Sequence, residues 1–223
     1  MKTRQSGFTL VEIAIVLVII GLLLGGILKG QELINSAKVK NLANDFRIIP
    51  TYIYGFQDKY KSIPGDDNLV ASTHLSGTTP VGVLATTPAG KQGNGVIDGN
   101  WNSSTVTDES YLFWQHVRLA NLAAGSTTPG AADYVPKNAL GGDVGISSAA
   151  TAQLQISGMS GSYQICSKGI LGKFAIQLDT QMDDGQTNQG SIRAVADGAA
   201  LGSAGVATGS IDPAASYTVC IVF

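Results

Sequence analysis

"SGFTLVEIAIVLVIIGLLLGGILKG", Ser6–Gly30, holds only two residues between Phe8 and Leu28 that are neither apolar nor small, Thr9 and Glu12. Twenty-one residues at about 1.5 Å each make a helix of roughly 31 Å, enough to cross a bilayer core. Glu12 stands one turn from its start. An unpaired charge at mid-membrane costs roughly 2.5–3.5 kcal/mol on insertion scales, and less near the interface. One reason for the acid is local: a carboxylate complements its own helix N-terminus, worth about 0.3–1 kcal/mol. The other reason is a cationic partner.

Outward from this stretch, "MKTRQSG" carries Lys2 and Arg4 and no acid. Positive residues before a span keep that end cytoplasmic and send the rest of the chain outward. No small-residue cleavage site follows Leu28, where a secretory signal would place one. The chain continues instead as "KGQELINSAKVKNLANDF", so the apolar stretch is expected to stay attached. Beyond Lys29 the apolar residues thin to Val39, Leu42, Phe46, Ile49, Ile53, Phe56 and Tyr60. Their spacings of three and four mark one buried helix face. One helix is therefore predicted from Phe8 to about Lys61, ended by "IPGDD" through Pro64 and Gly65. Pro50 predicts a kink. Gly21, Gly25, Gly26 and Gly30 either weaken the helix, by about 1 kcal/mol each relative to alanine, or let helices pack closely. The two readings are compatible.

From Asp66 on, short apolar segments alternate with Gly/Ser/Thr/Asn/Pro stretches. The strand candidates are Val81–Thr86, Ala152–Ser157, Tyr163–Ser167, Ser191–Ala196 and Tyr217–Val222. One helix interrupts them, "TDESYLFWQHVRLANLAAG", with Thr107 or Asp108 as its cap and Gly125 as its stop. The expected fold is α+β: a long N-terminal helical spine packed against a C-terminal antiparallel β-sheet domain with one further helix. The expected organisation is a basic leader (1–7), a membrane-spanning half of the spine (8–28), an amphipathic half (29–63) and a globular domain (64–223).

Past Ser62 six basic residues face twelve acidic ones, a net charge of −6. Such a domain argues against broad phosphate-backbone binding, and no nucleic acid partner is expected. Cys166 and Cys220 are the two cysteines. Outside the cytosol they would form a disulfide, closing a loop worth on the order of 4 kcal/mol; the alternative is two buried thiols.

Little else suggests chemistry. His116 follows Trp114 in the helix without a visible nucleophile, and a packed, hydrogen-bonded imidazole is the expectation. His74 lies in a polar loop. No nucleophile elbow, zinc-protease or phosphate-loop pattern occurs, and no enzymatic activity is expected. Calcium is the one cofactor worth naming. Asp179, Asp183 and Asp184 in "QLDTQMDDGQ" would stack two carboxylates on one helix face, a repulsion that a hard cation relieves. The segment also alternates as a strand would, and turn-forming carboxylates that accept backbone amides are the simpler reading. "QGNGVIDG", Gln92–Gly99, has some flavour of a calcium loop but lacks the leading Asp and closing Glu.

The short basic leader ending in glycine, followed by "FTLVE" and an apolar run, resembles the signal of type IV pilins and pseudopilins. Gly7, Phe8, Thr9, Leu10 and Glu12 all match in place. The resemblance implies cleavage by prepilin peptidase between Gly7 and Phe8, and N-methylation of Phe8. It also implies a role for Glu12 in assembly, paired with the Phe8 amine of a neighbouring subunit. The implied partners are further copies of the chain, other pilins, the peptidase and an inner-membrane assembly platform. The implied location is a single-pass inner-membrane precursor with a periplasmic domain, and afterwards a pilus or other extracellular filament. "IPGDD", "GNGVIDG", "FWQH" and "MDDGQTNQGSIRA" resemble segments of larger proteins with prepilin-type ends and carry no biochemical role with them. The function expected is that of a structural subunit of a type IV pilus or type II secretion-like filament. The alternative is a minor pilin or pseudopilin acting as a binding or priming module for adhesion, DNA uptake or secretion.

Overall fold

The computed structural model describes residues 9–150 and 152–223. The chain divides into two units, Met1–Lys38 and Val39–Phe223. Helix α1, Leu10–Tyr60, contributes to both. Within the first unit every side chain from Leu10 to Leu28 is exposed. The most apolar window of α1 has a mean hydropathy of 2.8, so by length and composition the helix could cross a membrane. Gly21, Gly25, Gly26 and Gly30 are helical here, and a Cβ added to any of them would meet no atom within 4 Å.

In the second unit α1 buries Val39, Leu42, Phe46, Ile49, Ile53 and Phe56, the stripe expected from spacing. The helix runs through Pro50. It stops two residues before "IPGDD", at Lys61, whose φ of 57° is left-handed. Helix α2, Glu109–Leu119, lays Phe113 and Val117 into the same core. It ends earlier than Gly125, at Asn121 (φ 62°). The Leu122 amide donates to the Val117 carbonyl at 2.9 Å and the Asn121 amide to Arg118 at 3.0 Å, a closing pair of bonds that needs one left-handed residue. Asparagine fills that position at modest cost.

The sheet comprises β1 Val144–Ser148, β2 Tyr163–Leu171, β3 Ile192–Ala196 and β4 Ser216–Val222, in the order β1-β2-β4-β3. All pairings are antiparallel. Between β2 and β3 lies α3, Gly172–Met182, so the domain holds two α-helices beyond the spine rather than one. Because side chains alternate across a strand, the sheet has two buried faces. Ile165, Ala194 and Val219 join the core shared with α1, α2 and α3. Cys166, Val195, Cys220 and Val222 join a second cluster under Trp101, Leu154, Ile156 and Met159. Both sheet edges are covered: the Ser148 amide donates to Ile97, and the Ala194 amide to Thr187.

Two expected strands are absent for a stated physical reason. In Val81–Thr86 the Val83 amide donates to the Gln115 side chain, and the Val83 carbonyl accepts from His116. A helix's side chains thus take the place of a neighbouring strand. In Ala152–Ser157, Leu154 and Ile156 cover the outer sheet face, and the segment forms no ladder, just an isolated bridge from Ile156 to Ser203 and bonds such as the Gln155 amide to the Gln164 side chain. Strand β1, "VGISS", is not among the sequence candidates because Val144 and Ile146 are its only strongly strand-favouring residues beside a glycine and two serines. Its Gly145 leaves room for the Trp101 carbonyl, which would stand 1.8 Å from an added Cβ.

Cys166 and Cys220 face each other across β2 and β4 and are bonded. Replacing both with alanine opens a loop of 54 residues, which in the chain-entropy picture removes about 4 kcal/mol. For a domain of this size the midpoint of thermal unfolding should fall by about 10 °C, read by circular dichroism. An unchanged midpoint would mean that strand pairing alone already restrains this segment.

Candidate functional site

The sequence singled out the start of α1, and there Thr9 and Glu12 close on each other. The Thr9 amide and hydroxyl donate to Glu12 Oε2 at 2.7 and 2.8 Å, and the Glu12 amide donates to Thr9 Oγ1 at 3.3 Å. This is a capping box: each residue satisfies an amide that the first helical turn leaves without a partner. The local reading of Glu12 is therefore realised, and the acid is oriented toward the beginning of the chain. Gly7 and Phe8, the expected cleavage and methylation positions, lie outside the described residues.

A second polar centre lies inside the domain, where the quoted motifs meet. His116 is fully buried. Its Nδ1 accepts the Gly65 amide at 2.9 Å, and its Nε2 donates to the Val83 carbonyl at 2.8 Å. Both ring nitrogens are thus committed to the backbone, and burial pushes the imidazole down to about 4, only partly opposed by the Val83 bond. Gly65 (φ 94°) passes so close to α2 that an added Cβ would stand 2.4 Å from the Glu109 carbonyl oxygen. Asp66 accepts the amides of Asn94 at 3.1 Å and Gly95 at 2.8 Å, together with that of Gly93. The 93–95 turn therefore directs N–H groups inward at a carboxylate. A calcium loop presents oxygens inward instead. Asp67 pairs with His74 at 2.7 Å.

Glu109 is fully buried beside this turn. Its Oε2 accepts the Asp98 amide at 2.8 Å, and its Oε1 has no partner. Burial pushes its carboxyl up to about 8; the Asp98 amide opposes this, while Asp66, Asp98 and Asp108 add repulsion. This centre was missed in the sequence because nothing in "IPGDD" or "DES" announces which amides a carboxylate will find.

Asp179 is helical, but α3 ends at Met182 and Asp183 is its C-cap with non-helical backbone (φ −141°, ψ −137°), so the two carboxylates do not continue one helical face. They are engaged separately: Asp183 accepts the Ile192 amide and Asp184 the Gln186 amide, each at 2.8 Å. Asp179 is fully buried with neither oxygen at hydrogen-bond geometry. Burial raises it to about 6, although the Gly185 and Gln186 amides lie near enough to oppose the shift. Among the described residues no three carboxylate, imidazole or thiol groups converge as a metal site.

An exposed apolar helix with a capped acid at its start, followed by a disulfide-bonded α+β domain, defines the class: a membrane-anchored chain built around an N-terminal helix. The family model described as "Prokaryotic N-terminal methylation motif" matches residues 2–28. This N-terminal segment thus carries the prepilin signal of type IV pilins and pseudopilins. The motif implies processing by a prepilin peptidase and assembly with other pilins. No curated protein and no solved structure matches the chain.

The buried pair gives the domain opposite pH slopes. Folded Glu109 holds its proton up to about 8 while the unfolded residue releases it near 4.5, so its contribution falls as pH rises across that interval. Folded His116 stays neutral down to about 4 while the unfolded residue charges below 6.5, so its contribution falls as pH drops through that window. Between pH 6.5 and 8 only the Glu109 slope operates. Glu109→Gln should lose less stability across that interval than the parent chain, measured by urea unfolding. Parallel curves would place the Glu109 titration elsewhere.

Proposed function

We propose that this chain is a structural subunit of a type IV pilus or a related type II secretion-like filament. The observation that carries the reading is the carboxylate held at the head of the otherwise apolar, exposed Leu10–Leu28 stretch of α1. Cleavage after Gly7 would create an ammonium group on Phe8, four residues before Glu12. Charge-assisted bonds between ammonium and carboxylate are roughly twice as strong as neutral ones, and low-dielectric surroundings strengthen them further. An amine from a neighbouring copy would then draw Glu12 out of its capping box and set the stagger between subunits. Apolar contact among spines would supply the remaining cohesion. The inner-membrane assembly platform and the peptidase would be the partners before polymerisation, and the acidic domain would face outward.

Two variants separate the cap from the charge. Glutamine at the third helical position still closes a capping box but carries no charge. Glu12→Gln and Glu12→Ala should both insert and be cleaved, and both should be absent from sheared surface fibres. Filaments from Glu12→Gln but not Glu12→Ala would reduce the acid to a helix cap. Mass spectrometry of the parental fibres should find a methylated Phe8 at the amino terminus.

A further inference from the structure

A cleft of about 320 Å³ opens beside the first turns of α2, within the size range of small-ligand sites. Trp101, Tyr111 and Trp114 wall it. Each of these side chains is more than nine-tenths buried, so the walls are preformed.

The polar groups of the cleft are unevenly committed. The Trp101 indole N–H is occupied by Gln155 at 2.9 Å. The Tyr111 hydroxyl accepts the Gly130 amide at 3.0 Å, and its own proton has no acceptor among the described residues. The Trp114 indole N–H likewise has no acceptor among the described residues and is not sealed from solvent. The Asn102 amide and Ser104 hydroxyl, also on the cleft, make no side-chain hydrogen bond among the described residues. The carboxylate at the rim, Asp143, is neutralised by Lys137 and Lys168.

These features define a ligand. Two uncommitted donors on aromatic walls call for an oxygen-bearing molecule with apolar faces. A rim whose single acid is held by two lysines offers a cation no counter-ion, and the net charge of −6 past Ser62 repels polyanions. We propose that this cleft binds an uncharged saccharide. Its ring faces lie against the aromatic walls, and its hydroxyl or ether oxygens receive the Trp114 and Tyr111 donors. This binding is independent of the filament reading and of Glu12.

Both tryptophans of the chain line the cleft, so intrinsic fluorescence reports on it; Trp114 also borders a smaller cavity beside Tyr52 and Arg118, whereas Trp101 does not. The full chain, held in a detergent without a sugar headgroup, is titrated with neutral oligosaccharides of glucose, galactose, mannose and N-acetylglucosamine. A saturable change in tryptophan emission is expected with at least one of them. Trp114→Phe keeps an aromatic wall and removes the donor. It should weaken binding about fivefold by calorimetry, the loss of one neutral hydrogen bond, while near-ultraviolet circular dichroism shows the variant folded. Three outcomes would overturn the proposal: no saturation with any neutral sugar, saturation only with an anionic sugar or an uncharged peptide, or an unchanged affinity in folded Trp114→Phe.

Discussion

One helix has to satisfy two surroundings. From Leu10 to Leu28 α1 offers an apolar side chain or glycine in nearly every direction, whereas from Val39 to Phe56 only a narrow stripe is apolar and buried. The first pattern is left uncovered by the chain's own fold and calls for apolar surroundings from outside it. The second requires a protein core, because each buried apolar side chain contributes roughly 1.5–3 kcal/mol. The change from one pattern to the other falls near Lys29, whose ammonium pairs with Glu32 at 2.6 Å on the helix surface. Everything in the second unit follows from supplying a cover for that stripe.

The cover is held together by polar groups as much as by apolar ones. The turn after α1 cannot be left loose, or the stripe would lose its edge at Phe56. Its backbone is tied by the Gly65–His116 bond, and Asp66 ties it in turn to the 93–95 loop. Groups buried this deeply stabilise only when they are satisfied. His116 meets that condition at both nitrogens. Glu109 meets it only in part, with Oε2 on the Asp98 amide and Oε1 unpartnered; burial and the neighbouring Asp66, Asp98 and Asp108 raise its carboxyl to about 8, which favours the uncharged form.

How much of this could be read from the chain depends on the range of the interaction. The stripe from Val39 to Phe56 was legible because helix period and burial are local properties. The Cys166–Cys220 pair was legible because only two thiols exist. By contrast, Val81–Thr86 has strand-like composition, yet it meets Gln115 and His116, more than thirty residues away. No local pattern reveals that its partner is a helix. "VGISS" differs in the opposite sense: its Val144 and Ile146 favour a strand but its glycine and serines dilute the signal, and pairing with β2 decides it. His116 was expected to be packed and hydrogen-bonded, and it is, but the identities of its partners depend on the tertiary fold.

The head of α1 shows why an acid there is tolerable before any partner arrives. A bare carboxylate near lipid would pay for lost hydration without return. In the box with Thr9, one oxygen receives two donors, and the helix N-terminus adds a favourable dipole. The precursor's acid is therefore already solvated by its own chain. Exchanging those bonds for an ammonium ion costs only their net worth, about 0.5–1.5 kcal/mol for each neutral bond and more for bonds to a charged group. The gain is an ion pair in a medium where water competes poorly. A capped acid is thus stable at the head of the helix by itself, and under the filament reading proposed above it would exchange these bonds for a neighbour's ammonium group.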